Sequence, residues 1–242
     1  MRLRVFLTIL LTAIGLGAPA RAQTLVDLQL VLAVDASGSV NDTRFELQKQ
    51  GYAAAFRNPQ VIKAIMSGGE QSIAVTMMQW TGPFMQVQVV PWTLLKDAAS
   101  AKAFGEEIAR SQRELFGGGT SISGAIDQSL MLFSQSPYKS TRRTIDISGD
   151  GANTSGRSIT HARDQAVREG ISINVLPILS LDSWLDKYYY NNVIGGPGAF
   201  MIPAANYESF ADAVVKKLIL EIAANEDRPA MQQWGAVLAA AP

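Results

Sequence analysis

Apolar strand-like runs alternate with helical patterns along most of this chain. The run from Leu25 to Val34 is rich in Leu and Val throughout, as expected of a strand that is buried on both faces. A helical pattern follows, with Phe45, Tyr52 and Phe56 on one stripe. Parallel strands need crossover connections, which helices usually supply. The alternation therefore predicts a doubly wound α/β fold, with a mostly parallel sheet and helices on both of its faces.

The predicted sheet has six strands, one of which is an antiparallel edge strand. The runs SIAVTMMQW and MQVQVVPWTLL are joined by the turn signal Gly82-Pro83, which indicates a β-hairpin. Pro91 in the second run is tolerated at the edge of a sheet, so we place the hairpin there. The sixth strand is the run FMIP, at residues 200–203.

Helix boundaries follow from capping residues and apolar spacing. Thr43-Arg-Phe-Glu46 fits a capping box at the start of the first helix. Trp184 and the tyrosines at 188–190 are assigned to a loop. The other predicted helices are residues 97–110, a segment that begins after Ser121, residues 158–169 and residues 207–223. The last of these is amphipathic and closes the domain.

Both ends of the chain are set apart from the predicted domain. Residues 1–22 read as a signal peptide, with a basic start (MRLR), an apolar stretch (VFLTILLTAIGLG) and a small-residue cleavage pattern (ARA). The apolar stretch is short for a bilayer-spanning helix, which argues against a membrane anchor. We expect residues 23–224 to form one domain and residues 225–242 to be an extension. The predicted location is periplasmic or secreted.

Composition excludes several classes of partner and chemistry. Lys plus Arg and Asp plus Glu both number 21, and there is no long basic cluster, so nucleic acid and an anionic membrane surface are not expected partners. The chain has no Cys, which excludes disulfides, thiolate metal sites, a Cys nucleophile and lipid attachment at a Cys. The sequence does not indicate an oligomeric state.

Three polar segments fall where predicted strands end or a helix begins. DASGS begins at residue 35, GGGT at residue 117 and SGDG at residue 148. Ligands of open α/β sheets bind at the carboxyl ends of the strands, so we expect these segments to meet there. Their carboxylates and hydroxyls suit Mg²⁺ or Mn²⁺, and Ca²⁺ less well, whereas Zn²⁺ normally recruits Cys or His. The candidate ligands are Asp35, Ser37, Ser39, Thr120 and Asp150.

With these residues, the chain resembles a von Willebrand factor A (VWA) domain carrying a metal-ion-dependent adhesion site. Over residues 25–223 it is similar to a family of secreted bacterial A-domain-like proteins. The resemblance implies that the Ser and Thr hydroxyls contact the metal directly, and that Asp35 and Asp150 do so directly or through water. It also implies an open coordination position that accepts an acidic side chain from a protein partner. The predicted function is therefore an exported, metal-dependent protein-binding domain that is not an enzyme.

Three other interpretations of the same residues remain open. A metal-assisted hydrolase would draw on His161, the single histidine, although no GxSxG elbow is present. A structural A domain with an empty metal site is the second. In the third, the Asp, Ser and Thr residues are ordinary helix caps and turn residues.

Further residues have competing interpretations. Asp146 interrupts an apolar strand, so it is either a structural acid bonded to neighbouring hydroxyls or to Arg142 or Arg143, or part of a network that reaches the metal. Trp80 lies either at the rim of the metal face or in the core. The final predicted helix either slides when a ligand binds or is fixed, and we favour a fixed helix.

Overall fold

The computed structural model describes residues 23–223, so the predicted signal peptide and the extension at 225–242 lie outside the described residues. The strands are β1 (Thr24–Leu25), β2 (Leu28–Asp35), β3 (Ile73–Trp80), β4 (Gln86–Leu95), β5 (Tyr138–Lys139), β6 (Arg143–Gly149) and β7 (Ile171–Pro177). The helices are α1 (Asp42–Ala55), α2 (Pro59–Ile65), α3 (Ala98–Arg110), α4 (Ile122–Gln135), α5 (Ile159–Arg168), α6 (Leu185–Asn192) and α7 (Phe210–Ala223).

The central sheet has five strands in the order β4-β3-β2-β6-β7. Strands β2, β3, β6 and β7 are parallel, and β4 pairs antiparallel with β3 at one edge. The doubly wound class and the antiparallel edge hairpin are confirmed. The short β1 and β5 pair with each other in a separate two-stranded sheet.

The predicted sixth strand at residues 200–203 is wrong as a strand. This segment runs beside β7 and makes isolated bridges, Met201 with Val175 and Ala204 with Ile178. Pro177 lies in β7 opposite this segment, and it has no N–H to donate to the neighbouring backbone. The ladder is interrupted at that point, although the Ala204 N–H still reaches the Pro177 carbonyl at 2.9 Å.

Helices cover both faces of the sheet. Helices α1, α2, α3 and α7 share one apolar cluster, which includes Tyr52, Phe56 and Phe104. Helices α4, α5 and α6 share the other cluster, which includes Ile126 and Tyr189. Successive β2 residues enter the two clusters alternately, as the period of a strand requires. Within the described part of the chain, no helix combines the length and apolarity that a bilayer crossing needs.

Several helix boundaries differ from the predictions. The first helix is capped by Asn41, whose side chain accepts the Arg44 N–H at 2.9 Å, so the capping box predicted at Thr43–Glu46 is wrong. Helix α6 forms where we predicted a loop, because its inward residues, including Tyr189, are buried. Helix α7 begins at Phe210, three residues after the predicted start, and it follows reciprocal hydrogen bonds between Asn206 and Ser209. Helix α2 was not predicted.

Asp146 is a structural acid whose partner lies on a distant helix. The Lys217 ammonium of α7 lies 2.6 Å from Asp146 Oδ1 and 2.5 Å from Glu221 Oε1, and all three side chains are buried. The Tyr52 hydroxyl donates to Asp146 Oδ1 at 3.4 Å. The candidate partner Arg142 instead donates to the Glu221 backbone carbonyl, at 2.5 Å. Strand β6 and α7 are therefore joined by a buried ionic cluster, Asp146, Lys217 and Glu221.

The cluster holds more acid than base. Burial, and then the charge of Asp146, raise the pKa of Glu221 to about 7, while Lys217 acts in the opposite direction. Asp146 Oδ2 and Glu221 Oε2 have no hydrogen-bond partner among the described residues. The arrangement ties α7 to the sheet at one register, which supports our preference for a fixed helix.

Replacing Lys217 by Met removes the cation and leaves two buried carboxyls side by side. We expect the free energy of unfolding to fall by about 3–5 kcal/mol, the usual effect of removing one partner of a buried ion pair. Urea denaturation measures the change. Lys216→Met, at an exposed position of the same helix, is the matched control and should change stability by less than about 0.5 kcal/mol. Equal small effects in the two variants would contradict a stabilising role for the cluster.

Candidate metal centre

The candidate site lies where the chain leaves β2 and β6, which are neighbours in the centre of the sheet. The connection from β2 leads toward β3 on one side, and the connection from β6 leads toward β7 on the other. This reversal is a topological switch point, the usual ligand position in open α/β sheets. The register pairs Val34 with Ser148, so Asp35 and Asp150 emerge side by side.

Asp35 organises the loop after β2. Its side chain is fully buried, and Oδ1 accepts the Ser37 backbone N–H at 2.7 Å. Its second oxygen, Oδ2, accepts the Asp150 backbone N–H at 3.4 Å. An Asp that bonds the backbone two residues ahead closes a tight turn. The same carboxylate thus shapes its own loop and joins it to the loop after β6.

The two serines connect the carboxylates through their hydroxyls. Ser37 Oγ lies 3.3 Å from Ser39 Oγ. Ser39 Oγ in turn donates to Asp150 Oδ1 at 2.5 Å. Asp35, Ser37, Ser39 and Asp150 therefore form one hydrogen-bonded cluster.

Thr120 approaches this cluster from the other side of the Asp150 loop. A Cβ built on Gly151 would lie 3.5 Å from Thr120 Oγ1, so the threonine side chain packs against the residue that follows Asp150. The Thr120 carbonyl accepts the backbone N–H groups of Thr154 and Ser155 at 2.8 and 3.2 Å. The structure thus places Thr120 next to the loop of Asp150 and outside the hydrogen-bonded cluster.

A glycine loop lies against the serine loop. Gly117 and Gly118 have φ angles of +67° and +79°, a region that glycine adopts without steric strain. A Cβ on Gly38 would lie 3.5 Å from the Gly118 carbonyl oxygen, so the two loops are in close contact. The Ser121 N–H donates to the Thr81 carbonyl at 2.7 Å and fixes the start of α4 beside β3.

Two residues of the site were missed by sequence reasoning. The Tyr207 hydroxyl donates to Asp150 Oδ2 at 2.8 Å, and Arg44 Nη1 lies 3.8 Å from the same oxygen. Arg44 also donates to the Ser39 carbonyl at 2.7 Å. Neither has a motif around it. A positive charge in the first turn of a helix interacts unfavourably with the helix dipole. The position of Arg44 in the first turn of α1 was therefore the sequence feature that could have indicated a separate role for it.

The site carries more negative charge than its protein partners neutralise. Burial raises the pKa of Asp35 to about 7, and the charge of Asp150 acts in the same direction, while hydrogen bonds from Ser37 lower it. Asp150 is also buried, and Arg44 is a partly exposed neighbour. Two adjacent buried carboxylates favour either a proton or a cation between them.

The donor set fits a hard divalent cation. It consists of carboxylate and hydroxyl oxygens, the ligand type that Mg²⁺ and Mn²⁺ prefer. Within residues 23–223, no group of three or more His, Cys, Asp or Glu side chains is placed to hold a metal ion. The hydroxyls of Ser37, Ser39 and Thr120 would therefore have to complete the set that the two carboxylates begin.

Of the other residues considered for a role at the site, some lie in the core and others on the surface. Trp80 is fully buried beneath the site and belongs to the core. Tyr189 is also buried, and its hydroxyl donates to the Gly151 carbonyl at 3.2 Å, which supports the Asp150 loop. Trp184 is half exposed. His161 lies exposed on α5, as expected of a surface histidine.

The fold is that of VWA domains. Proximal thread matrix protein 1 from the mussel byssus, in a form with a zinc-occupied MIDAS motif, matches with a TM-score of 0.58 and 15% identity over 81% of this chain and 46% of that chain. A von Willebrand factor type A protein from Catenulispora acidiphila matches with a TM-score of 0.56 and 15% identity, over 81% and 43%. The conserved hypothetical protein BatB from Bacteroides thetaiotaomicron matches with a TM-score of 0.53 and 18% identity, over 81% of this chain and 98% of that chain. This chain thus spans under half the length of the first two.

A family model described as "Protein of unknown function (DUF1194)" matches residues 25–226, and the chain belongs to that family. No curated protein matches this sequence. At these identities the structural likenesses establish the fold.

Gly149, between the two loops, has no room for a side chain. A Cβ there would lie 2.8 Å from the Tyr189 hydroxyl oxygen and 2.9 Å from Asp35 Oδ2. We expect Gly149→Ala to lower the free energy of unfolding by about 1–3 kcal/mol, the usual effect of overpacking. The matched control is Gly151→Ala, whose Cβ would meet Thr120 Oγ1 at an ordinary 3.5 Å. Thermal and urea denaturation of both variants test this, and equal stability would contradict the described packing of the site.

Proposed function

We propose that this protein is an exported, non-enzymatic binding domain. In this proposal a divalent cation, held by Asp35, Ser37, Ser39, Thr120 and Asp150, accepts an acidic side chain from a protein partner. The observation that carries the proposal is the hydrogen-bonded cluster of two buried carboxylates and two serine hydroxyls at the switch point of the sheet.

Charge explains why the partner group is acidic. The two carboxylates together match the charge of one divalent ion, and Arg44 adds a positive charge 3.8 Å from Asp150 Oδ2. A loaded site therefore retains net positive character. Bound divalent cations are usually the dominant local charge in their site, so an incoming carboxylate gains strongly from the ion. When bound, the ion supplies this electrostatic attraction.

Protein side chains fix the cluster in place before any ligand arrives. Gln48 of α1 donates to the Asp35 carbonyl at 3.0 Å, and Tyr207 holds Asp150 from the segment before α7. Arg113 donates to the carbonyls of Ala36 and Val40, at 3.1 and 2.7 Å, on either side of the serines. Ligand groups that are already oriented need less ordering when an ion binds.

The hydrolase alternative receives less support from this geometry. The named site residues include no imidazole, and His161 is an exposed residue of α5. A Ser–His–acid arrangement needs the imidazole within hydrogen-bond distance of the nucleophile. Hydrolysis of ester or phosphoester substrates by the Mg²⁺-loaded protein would support this alternative. Unchanged thermal stability on addition of Mg²⁺ and Mn²⁺ would favour a structural domain with an empty site.

Calorimetric titration of residues 23–242 with Mg²⁺ and Mn²⁺ tests the site. We expect one ion per chain, and we expect Asp35→Asn and Asp150→Asn each to weaken binding by about tenfold or more, because each removes a formal charge that hydroxyls cannot replace. The Asn variants keep the shape of the side chain. His161→Ala is the control and should bind as the wild type does. Wild-type affinity in both Asn variants would refute the assignment of the ligands.

A further inference from the structure

Large apolar side chains are exposed beside the candidate metal centre. Phe84, in the turn between β3 and β4, is 99% exposed, and Phe116, just before the glycine loop, is 64% exposed. Met85, next to Phe84, is 39% exposed. We call these three residues the apolar rim. Exposed apolar side chains that cluster near a polar site are typical of protein interaction surfaces.

Phe84 is also held in an unfavourable backbone conformation. Its φ angle is +60°, a region that glycine and asparagine adopt readily and that is uncommon for phenylalanine. A side chain with 99% exposure gains no burial in return for this strain. Residues held in such conformations cluster at functional sites. The turn thus presents an aromatic ring to solvent at the expense of local stability.

The apolar rim borders the serine loop through the glycine loop. A Cβ on Gly118 would lie 3.5 Å from the Met85 sulfur, and a Cβ on Gly38 would lie 3.5 Å from the Gly118 carbonyl oxygen. The glycine loop is therefore in contact with the turn that carries Phe84 on one side and with the loop of the two serines on the other. Phe116 directly precedes Gly117.

Arg113 holds Phe116 in a fixed relation to the serine loop. Its guanidinium carbon lies 4.9 Å from the centroid of the Phe116 ring, and its nitrogens donate to the carbonyls of Ala36 and Val40. The same guanidinium pairs with Asp42 at 2.9 Å. An open groove of about 410 Å³ lies alongside, with Phe116 and Arg113 in its wall. Phe116, at one end of the rim, is thus held next to the serine loop.

We propose that the apolar rim binds hydrophobic side chains that flank the acidic residue of the protein ligand. The partner would then present a short acidic–hydrophobic segment, with its carboxylate at the cation and its neighbouring Leu- or Phe-like side chains on Phe84, Met85 and Phe116. This inference rests on the proposed function, because the carboxylate is assigned to the cation.

Charge complementarity favours an acidic–hydrophobic peptide at this surface. The loaded cation and Arg44 give the centre of the surface a positive character, which suits a carboxylate. The turn TGPFMQ, residues 81–86, carries no charged residue, and Arg113 is already paired with Asp42. A surface that binds anionic lipid normally carries free Lys and Arg side chains around its apolar residues. An acidic–hydrophobic peptide matches the centre and the rim together.

Three labelled peptides of equal length test the proposal by fluorescence anisotropy in excess Mg²⁺. The first has a central Asp flanked by Leu and Phe, the second has the same flanks around Asn, and the third has Asp flanked by Ser. We expect the first peptide to bind about tenfold more tightly than either of the others, because it alone can use both the cation and the rim. Addition of EDTA should reduce its affinity to that of the Asn peptide.

Variants of the rim separate binding from folding. Phe84→Asn should weaken binding of the first peptide by about tenfold, while its melting temperature should equal or exceed that of the wild type, because Asn tolerates the positive φ angle. Phe116→Ser should also weaken binding. Both variants should keep wild-type affinity for Mg²⁺ in calorimetry. Met131→Ser, at an apolar position of α4 that is 53% exposed, is the control and should bind the peptide normally.

Failure of this inference is distinguishable from failure of the proposed function. Equal affinity for the Leu/Phe-flanked and Ser-flanked Asp peptides, or normal binding by both rim variants, overturns the role of the rim while Mg²⁺-dependent binding stands. Absence of binding by the first peptide to Mg²⁺-loaded protein overturns both the role of the rim and the acceptance of a carboxylate by the cation. Sedimentation with vesicles of phosphatidylethanolamine and phosphatidylglycerol, if abolished by Phe84→Asn, would show that the rim binds membrane instead. Absence of Mg²⁺ binding in calorimetry refutes the proposed function itself.

Discussion

The central constraint in this structure is the parallel pairing of β2 with β6, which brings two carboxylates together at one end of the sheet. Asp35 and Asp150 are both buried, and the Asp150 N–H donates to Asp35 Oδ2. Adjacent buried carboxylates repel each other, so the fold retains them at an energetic cost. Hydroxyl and backbone donors reduce that cost, and a divalent cation would remove most of it. The pair of carboxylates is thus a source of instability that a bound divalent cation would relieve.

A second buried cluster of charged side chains lies farther from the site. Lys217 compensates Asp146 in the same strand, β6, that leads to Asp150. The Gln48 side chain donates to the Asp35 carbonyl, and its Oε1 accepts the Ser148 hydroxyl at 3.3 Å. Ser148 lies two residues after Asp146 in the same strand. Polar side chains therefore run through the core on the α1 face, from the candidate cation site toward α7. Networks of this kind favour one arrangement of the elements they join, because a partly broken network leaves buried polar groups unpaired.

Sequence patterns predicted the fold class because the periods of strands and helices differ and the alternation is regular. They also predicted that the segments carrying the five candidate ligands meet at one end of the sheet, and the side chains of four of these residues lie in one hydrogen-bonded cluster. The predicted sixth strand does not form because Pro177 of β7 lies opposite the FMIP segment. The sequence of the FMIP segment alone does not show which residues it pairs with. Lys217 as the partner of Asp146 was missed for the same reason: 71 residues of sequence separate them, and their contact follows from packing of α7 on the sheet.

Crystals of the protein grown with Mn²⁺, with diffraction recorded at a wavelength where manganese scatters anomalously, show whether a cation occupies the candidate site. The proposed function predicts one strong anomalous peak per chain among the oxygens of Asp35, Ser37, Ser39, Thr120 and Asp150, with Mn–O distances of about 2.1–2.3 Å, close to those of other hard divalent cations. An anomalous map without a peak there, at an Mn²⁺ concentration that saturates binding in solution, would contradict it.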